Sequence, residues 1–215
     1  MKLFIYQHCP FCVKAAMIFG LKGVPVTQEV LAEDDIETPT EMVGRKVVPI
    51  LQKDDGSFMP ESMEIVHYVD RLDGKPHLSN RHNPTVGEWL SATKDMTAAL
   101  FIPRFTKAPF AEIVTDSARA RYVKRMSDWV GDPDQLIKET PLYLEKLQPH
   151  LAQLEQLIVS ESAVNGMLSE DDIHLFPILR SLTIVKDLVL SPKINAYVEN
   201  MSRQSKVELL RHMAI

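Results

Sequence analysis

Patterns typical of β-strands are confined to roughly the first 60 residues of this 215-residue chain. Short runs rich in β-forming residues occur over four stretches: residues 2–6, 25–31, 47–52 and, after a turn ending in Asp-Gly, 57–59. Apolar residues at helical spacing predict helices over 12–23 and 61–72, and a short helix is expected after Pro39. This alternation predicts an α/β unit over residues 1–72.

The remainder of the chain carries only helical patterns. Residues 73–83 are polar and contain Gly and Pro, which predicts a linker. Apolar residues then recur at helical spacing over five stretches: residues 84–107, 116–131, 133–159, 170–188 and 191–212. We expect Pro103, Pro141 and Pro149 to kink or break these helices. The predicted fold class is α/β plus all-α, with an all-helical domain over residues 84–215.

Composition and charge restrict the class of protein. The chain is 45% hydrophobic and 25% charged, which is typical of a globular protein. Its 24 basic and 29 acidic residues give a net charge of −5, which argues against a general nucleic-acid-binding protein, because such a protein needs a basic stripe. No apolar run is long enough for a signal peptide or a membrane-spanning helix. We therefore predict a cytoplasmic protein with no nucleic-acid partner and no membrane partner.

Cys9 and Cys12 are the only cysteines, and they lie between the first strand and the first helix. A disulfide scaffold needs many cysteines in a short chain, so that class is excluded. The pattern favours redox chemistry, because helix amides and the helix dipole stabilise a Cys9 thiolate and Cys12 can close a small disulfide ring. Pro10 fixes φ as the turn enters the helix. A zinc site is the alternative, but it needs two further ligands and no second cysteine pair is present.

Two other segments of the α/β unit carry candidate binding residues. Pro49 interrupts a strand pattern, as a proline does in an edge strand or a bulge. If the Val48–Pro49 bond is cis, the backbone N–H and C=O of Val48 can face a bound peptide. Glu61 and Ser62 begin a helix, where such residues commonly cap the backbone. Alternatively, their carboxylate and hydroxyl hold an amino-acid head group together with the free helix amides.

Ser169 and Asp172 resemble a capping box at the start of an apolar helix. Eight of the 13 residues from 173 to 185 are strongly apolar, so we assign this segment to the folding of the helical domain. Trp89 and Trp129 lie in helical patterns and are interpreted as packing residues.

Four tracts, taken in order, resemble the glutaredoxins that carry a glutathione-transferase-like helical domain. They are His-Cys-Pro-Phe-Cys (8–12), Val-Val-Pro-Ile-Leu (47–51), Pro-Glu-Ser-Met (60–63) and Asn-Gly-Met-Leu-Ser-Glu-Asp-Asp (165–172). The resemblance extends over essentially the whole chain. It implies a thioredoxin-like fold over residues 1–72, a glutathione-transferase-like helical domain from residue 84, and a monomer.

The same resemblance implies roles for the first tract. Cys9 resembles the nucleophile and Cys12 the resolving thiol, with Pro10 and Phe11 forming the active-site turn between them. The implied reaction is glutathione-dependent thiol–disulfide exchange on disulfide-containing or glutathionylated proteins. Phe11 stands where many glutaredoxins have Tyr, and the lost hydroxyl is expected to alter substrate contacts or the thiol pKa slightly, not the reaction.

The resemblance also implies a glutathione site and no metal. Val48, before a cis Pro49, would pair through its main chain with the cysteinyl part of glutathione, and Glu61 and Ser62 would hold the γ-glutamyl end. Two alternatives stay open: a glutathione transferase, and a non-catalytic module that binds glutathione or an iron–sulfur cluster. A second thiol beside the first suits exchange better than conjugation, and Pro10 stiffens the turn, which by resemblance disfavours a cluster.

Overall fold

The chain divides into two units, each assembled from separate stretches of sequence. The computed structural model describes all residues from 1 to 215. The first unit, called here the N-terminal unit, consists of residues 1–77, 109–125 and 205–207. The second, called the helical unit, consists of residues 78–108, 126–204 and 208–215.

The N-terminal unit contains a mixed four-stranded sheet with strand order β2-β1-β3-β4. The strands are β1 (Lys2–Ile5), β2 (Thr27–Val30), β3 (Ile50–Gln52) and β4 (Phe58–Pro60), so all four predicted strands are confirmed with shifted ends. The β1 strand pairs in parallel with β2 and antiparallel with β3, and β3 pairs antiparallel with β4. Residues 3–5 of β1 are buried, as expected for a central strand covered on both faces.

Three helices complete the α/β part of this unit and give it a thioredoxin-like topology. They are α1 (Pro10–Lys22), α2 (Glu37–Val43) and α3 (Ser62–Asp70). Gly23 ends α1 in the left-handed conformation (φ 67°), and the N–H of Val24 donates to the carbonyl of Phe19. The Lys22 ammonium donates to the carbonyls of Asp70 and Lys75, so the start of the predicted linker is held against α1.

The remaining helices are α4 (Pro84–Phe105), α5 (Asp116–Val130), α6 (Pro133–Lys138), α7 (Thr140–Leu157), α8 (Glu170–Leu182) and α9 (Pro192–Ser205). Asn83 and Asp132 cap α4 and α6 through side-chain hydrogen bonds to the backbone N–H groups of Thr85 and Gln135. No helix has the length and apolar character needed to cross a bilayer. The all-helical pattern predicted after residue 84 is confirmed.

The three prolines that were expected to kink or break helices differ in their effect on the helix. The break expected at Pro141 is confirmed: the helical pattern over 133–159 forms two helices, α6 and α7, which separate at Glu139, and Pro141 lies in the first turn of α7. By contrast, α4 continues through Pro103 and α7 through Pro149, so neither residue breaks its helix. Pro103 is buried, and the packing of that end of α4 offsets the hydrogen bond that a proline removes.

Two helices are shorter than predicted. The helix predicted over 170–188 ends at Leu182, where the Thr183 hydroxyl donates to the carbonyl of Arg180 and the backbone turns. The helix predicted over 191–212 ends at Ser205, and Lys206 has φ 56°. Residues 184 and 185 lie beyond the end of α8 but are buried. Their apolar side chains therefore continued the helical spacing in the sequence past the true end of the helix.

The capping box at the start of α8 is confirmed. The Asp172 carboxylate accepts the backbone N–H of Ser169 at 2.9 Å, the N–H of Val164 at 2.7 Å and the hydroxyl of Tyr197 at 3.0 Å.

The two tryptophans differ in burial. Trp89 is buried and its indole N–H donates to the carbonyl of His150, whereas Trp129 is 52% exposed. The interpretation of Trp129 as a packing residue is wrong, because its position on α5 faces solvent.

Candidate active site

Cys9 and Cys12 lie at the N-terminus of α1, directly after the turn that follows β1. Cys9 is the residue before the helix, with an extended backbone (φ −70°, ψ 119°), and Pro10 is the first helical residue. Cys9 is partly exposed, whereas Cys12 is buried. Phe11, between them, is 58% exposed. One thiol can therefore be reached from solvent, and the other is shielded behind it.

The environment of Cys9 stabilises its thiolate and lowers its pKa from 9.0 to about 6. The largest cause is the hydrogen bond that the Cys12 thiol donates to it. Burial opposes this effect, and the charge of His8 and the backbone N–H groups of Cys12 and Phe11 add to it. These N–H groups are the unpaired donors that begin a helix. Cys9 is consequently a thiolate for the most part at neutral pH.

Cys12 has the opposite tendency. Burial raises its pKa well above the ordinary value, and both its hydrogen bond to Cys9 and the negative charge of the Cys9 thiolate raise it further. The backbone N–H of Tyr6 lies 3.4 Å from its sulfur and acts in the other direction. The pair is thus divided into an ionised, reachable thiol and a protonated, buried one.

Val48, the residue before Pro49, packs on the same core cluster as Cys9. The Val48–Pro49 peptide bond is cis, which is the geometry that the resemblance implies. Cys9, Val47 and Val48 are partly buried and pack against one group of buried side chains, which consists of Phe4, Tyr6, Leu31 and Ile50. The fold therefore brings the reactive thiol and the Val48 segment to one hydrophobic cluster.

Glu61 and Ser62 lie at the junction of β4 and α3. The β3–β4 register pairs Ile50 with Pro60, which places Pro49 and Glu61 at the same end of the hairpin. The Glu61 side chain does not cap α3; it is exposed and accepts a hydrogen bond from Arg45 at 2.5 Å. Glu61 also has φ 75°, a conformation that typically costs a residue with a Cβ about 1–3 kcal/mol. Ser62 is buried as the first residue of α3.

His8 and Glu112 are site residues that the sequence analysis did not identify. The Nδ1 atom of His8 lies 2.5 Å from Oε1 of Glu112, although the two residues are 104 positions apart. Glu112 is in a 3-10 turn (Ala111–Ile113) that belongs to the N-terminal unit. A histidine beside a cysteine is visible in the sequence, but nothing local marks its distant carboxylate partner.

A second buried carboxylate, Glu33, lies near this site. Glu33 begins an acidic stretch of the chain (residues 33–37), yet its side chain is only 1% exposed and accepts a hydrogen bond from Nε of Arg125 at 3.0 Å. Lys46 donates to its backbone carbonyl, and the N–H of Glu33 donates to the carbonyl of Glu112 at 2.7 Å. These contacts join the loop after β2 to the segment that carries Glu112.

Comparison with known proteins identifies the family. Residues 3–77 match the family described as "Glutathione S-transferase, N-terminal domain", and residues 85–214 match "Glutaredoxin 2, C terminal domain". Glutaredoxin 2 of Escherichia coli (strain K12) is 49% identical over 215 residues, which make up 100% of both chains. The chain belongs to the glutaredoxin 2 family.

Solved structures agree with this family assignment. Glutaredoxin 2 from Salmonella typhimurium, determined in complex with glutathione, superposes with a TM-score of 0.97 at 50% identity and covers 100% of this chain and 98% of its own. Glutathione transferase Omega 3C from Trametes versicolor shares the fold at 16% identity, with a TM-score of 0.57 over 97% of this chain and 88% of its own. A thioredoxin-like domain followed by a glutathione-transferase-like helical domain is therefore confirmed.

Proposed function

We propose that this protein is a glutathione-dependent thiol–disulfide oxidoreductase that reduces glutathione mixed disulfides and protein disulfides. One observation carries the proposal: a partly exposed Cys9 with a pKa of about 6 lies beside a buried Cys12 that stays protonated. A low-pKa thiol both attacks disulfides at neutral pH and leaves well. The solved Salmonella relative, which binds glutathione, supports the choice of reductant.

The reduction of a glutathione mixed disulfide needs Cys9 alone. The Cys9 thiolate attacks the glutathione sulfur, the protein thiolate leaves, and a Cys9–glutathione disulfide forms. A second glutathione thiolate then attacks the glutathione sulfur of this intermediate. Oxidised glutathione leaves, and Cys9 returns as a thiolate, so one free glutathione has been consumed and the disulfide bond has moved from the protein substrate to oxidised glutathione.

The reduction of a protein disulfide needs both thiols. The Cys9 thiolate attacks one sulfur of the substrate and forms a mixed disulfide with it. Cys12 then gives up its proton and attacks the Cys9 sulfur, which releases the reduced substrate and forms the Cys9–Cys12 disulfide. Two glutathione molecules reduce this disulfide and leave as oxidised glutathione. The high pKa of Cys12 suits this step, because Cys12 stays inactive until the thiolate beside it has been consumed.

Glutathione would lie along the segments that begin β3 and α3. The Val48 backbone would pair with its cysteinyl part, and Glu61, Ser62 and the first amides of α3 would hold its γ-glutamyl end. Two features support this placement: Glu61 does not cap its own helix, and it keeps a left-handed backbone conformation. Non-glycine residues persist in that conformation chiefly at functional sites.

Glutathione transfer to electrophiles is the second candidate, because residues 3–77 match a glutathione transferase domain. The paired thiols favour exchange, since conjugation gives no role to Cys12. Turnover of a chlorinated aromatic compound with glutathione, measured beside turnover of a mixed disulfide, separates the two activities.

The decisive assay compares the wild type with Cys9→Ser and Cys12→Ser on two substrates. With a glutathionylated peptide, Cys12→Ser should retain most of the wild-type rate, because this route uses Cys9 alone. With a protein disulfide, Cys12→Ser should be inactive. Full activity of Cys9→Ser on either substrate would contradict the proposal.

We also propose that the protein acts as a cytoplasmic monomer on disulfide-containing or glutathionylated proteins. Both cysteines are free thiols, which suits a reducing compartment. Sedimentation equilibrium over a range of concentrations tests the monomer: a single mass near the 24.4 kDa of one chain is expected, and a doubling of that mass contradicts it.

A further inference from the structure

His8 and Glu112 form a buried pair beside the reactive thiol, and the exchange steps above do not use it. Oε1 of Glu112 lies 2.5 Å from Nδ1 of His8 and accepts the backbone N–H of His8 at 3.0 Å. The Glu112 side chain has 0% exposure and the His8 side chain 7%. These contacts fix the residue directly before Cys9, within the turn that joins β1 to α1.

Aromatic rings hold the His8 imidazole in place. Tyr6 stacks on it at a centroid distance of 5.8 Å, Tyr122 meets it edge-on at 4.6 Å, and Phe110 lies at 5.7 Å. The second oxygen of Glu112, Oε2, is buried and has no hydrogen-bond partner. An ionised carboxylate in such a site needs a positive charge on the group that it contacts. The other oxygen of Glu112, Oε1, contacts the ionisable side chain of His8.

We propose that Glu112 is a positioning residue for Cys9: it keeps His8 in the imidazolium form and fixes the turn, so that a positive charge stays beside the Cys9 thiolate. The inference rests on the proposed function only in taking Cys9 as the nucleophile. Because Glu112 lies in the segment 109–125, the exchange centre would depend on residues far outside the α/β sequence.

The electrostatics of the site agree with this geometry. Burial would by itself raise the pKa of Glu112, but the hydrogen bond from His8 and the His8 charge lower it overall. The charge of His8 is also among the causes that lower the pKa of Cys9. Glu112 therefore interacts with Cys9 through His8, and its own negative charge raises the pKa of Cys12.

Other titratable and charged groups around the pair come from β1, α1, the loops beside β2 and β3, and α5: Tyr6, Cys12, Lys14, Glu33, Lys46, Tyr122 and Arg125. Tyr6 and Tyr122 stay neutral, because burial raises the pKa of each phenol. Glu33 is paired with Lys46 and Arg125. Among these groups and the pair itself, only an imidazole ordinarily changes charge between about pH 5 and 8.

The test is the pH dependence of Cys9 alkylation by iodoacetamide in the reduced, full-length protein. Glu112→Gln keeps the shape of the side chain but removes its negative charge, so a buried imidazolium at His8 would lose its charge partner. The midpoint of the alkylation profile, about pH 6 in the wild type, should rise by about one pH unit. His8→Gln should give a similar rise, and the double variant no further rise. Glu37→Gln, which alters an exposed carboxylate on α2, should leave the midpoint unchanged.

The charge of His8 can also be read without any substitution. The ¹⁵N chemical shifts of its ring nitrogens at pH 7 should show an imidazolium in the wild type and a neutral ring in Glu112→Gln. A neutral ring in the wild type, or an unchanged midpoint in folded Glu112→Gln, would overturn the proposal. If Glu112→Gln does not fold, the His8→Gln profile and the wild-type spectrum decide. Alkylation needs no glutathione, so missing disulfide reductase activity would contradict the proposed function and leave this result intact.

Discussion

The two thiols of this protein lie at the N-terminus of α1, Cys9 just before the helix and Cys12 in its first turn, and they differ in burial. Cys12 is buried and donates a hydrogen bond to Cys9, and this bond is the largest cause of the low pKa of Cys9. The sequence predicted a lowered pKa from the position of Cys9 before a helix. It could not predict the size of the Cys12 contribution, because the direction of the Cys12 side chain depends on packing against the sheet.

The hydrogen bond between the thiols predicts different effects for two substitutions of Cys12. Cys12→Ala removes the donor, so the midpoint of Cys9 thiolate formation should rise clearly above the wild-type value of about 6. Cys12→Ser keeps an O–H donor and should raise the midpoint less. Thiolate absorbance in the ultraviolet, recorded against pH for the reduced proteins, measures both midpoints. Equal midpoints in the wild type and Cys12→Ala would show that the bond does not set the pKa.

Among the secondary-structure elements, the sequence predicted types better than ends. Every predicted strand is present, because short β-rich runs bounded by turn residues are locally distinctive. The ends of α8 and α9 were missed, since they depend on a Thr183 hydrogen bond and on the left-handed backbone of Lys206. The same holds for the site. Cys9 and Cys12 lie three positions apart in the sequence and were identified, whereas Glu112 contacts His8 across 104 positions and was not.

Two helical glycines, Gly20 on α1 and Gly87 on α4, differ in the space around them, so alanine substitutions there should change the stability in opposite directions. A Cβ at Gly20 would lie 1.8 Å from the carbonyl oxygen of Ser205, so Gly20→Ala should lower the free energy of unfolding by about 2 kcal/mol or more. Gly87 on α4 has open space around it, so Gly87→Ala should raise that free energy by about 0.5–1 kcal/mol. Urea denaturation measures both values. Equal stability of Gly20→Ala and the wild type would contradict the close approach of residue 205 to α1.

For the molecule as a whole, the division into units does not follow the order of the sequence. We propose residues 1–72 as the thioredoxin-like domain, 73–83 as a linker and 84–215 as the helical domain, as the resemblance implies. In the structure, however, residues 109–125 and 205–207 group with the N-terminal unit. They supply Glu112 to His8, Arg125 to Glu33 and Ser205 to Gly20. The sequence gives no sign of this, because each contact joins residues that are distant along the chain.

Because the N-terminal unit is assembled from separate stretches of sequence, we predict that a fragment of residues 1–77 is less stable than the full chain and has a higher Cys9 pKa, although it contains both thiols. His8 and Glu33 would lose their buried partners, so the free energy of unfolding should fall by at least about 3 kcal/mol relative to the full chain. The alkylation midpoint of Cys9 should also rise above the full-length value. Urea denaturation and the alkylation profile of the two proteins, compared side by side, check both points. A fragment with full-length stability and an unchanged midpoint would contradict the role of residues 109–125.

The central claim is that Cys9 attacks disulfides as a thiolate and that Cys12 resolves the product. The most direct test is intact-protein mass spectrometry after brief exposure of the reduced protein to oxidised glutathione at neutral pH. Cys12→Ser should gain the mass of one glutathione, located on Cys9 by peptide mapping, and the wild type should instead lose two hydrogens as the Cys9–Cys12 disulfide forms. A glutathione adduct on Cys12 in Cys9→Ser, formed as fast as that on Cys9, would contradict the claim.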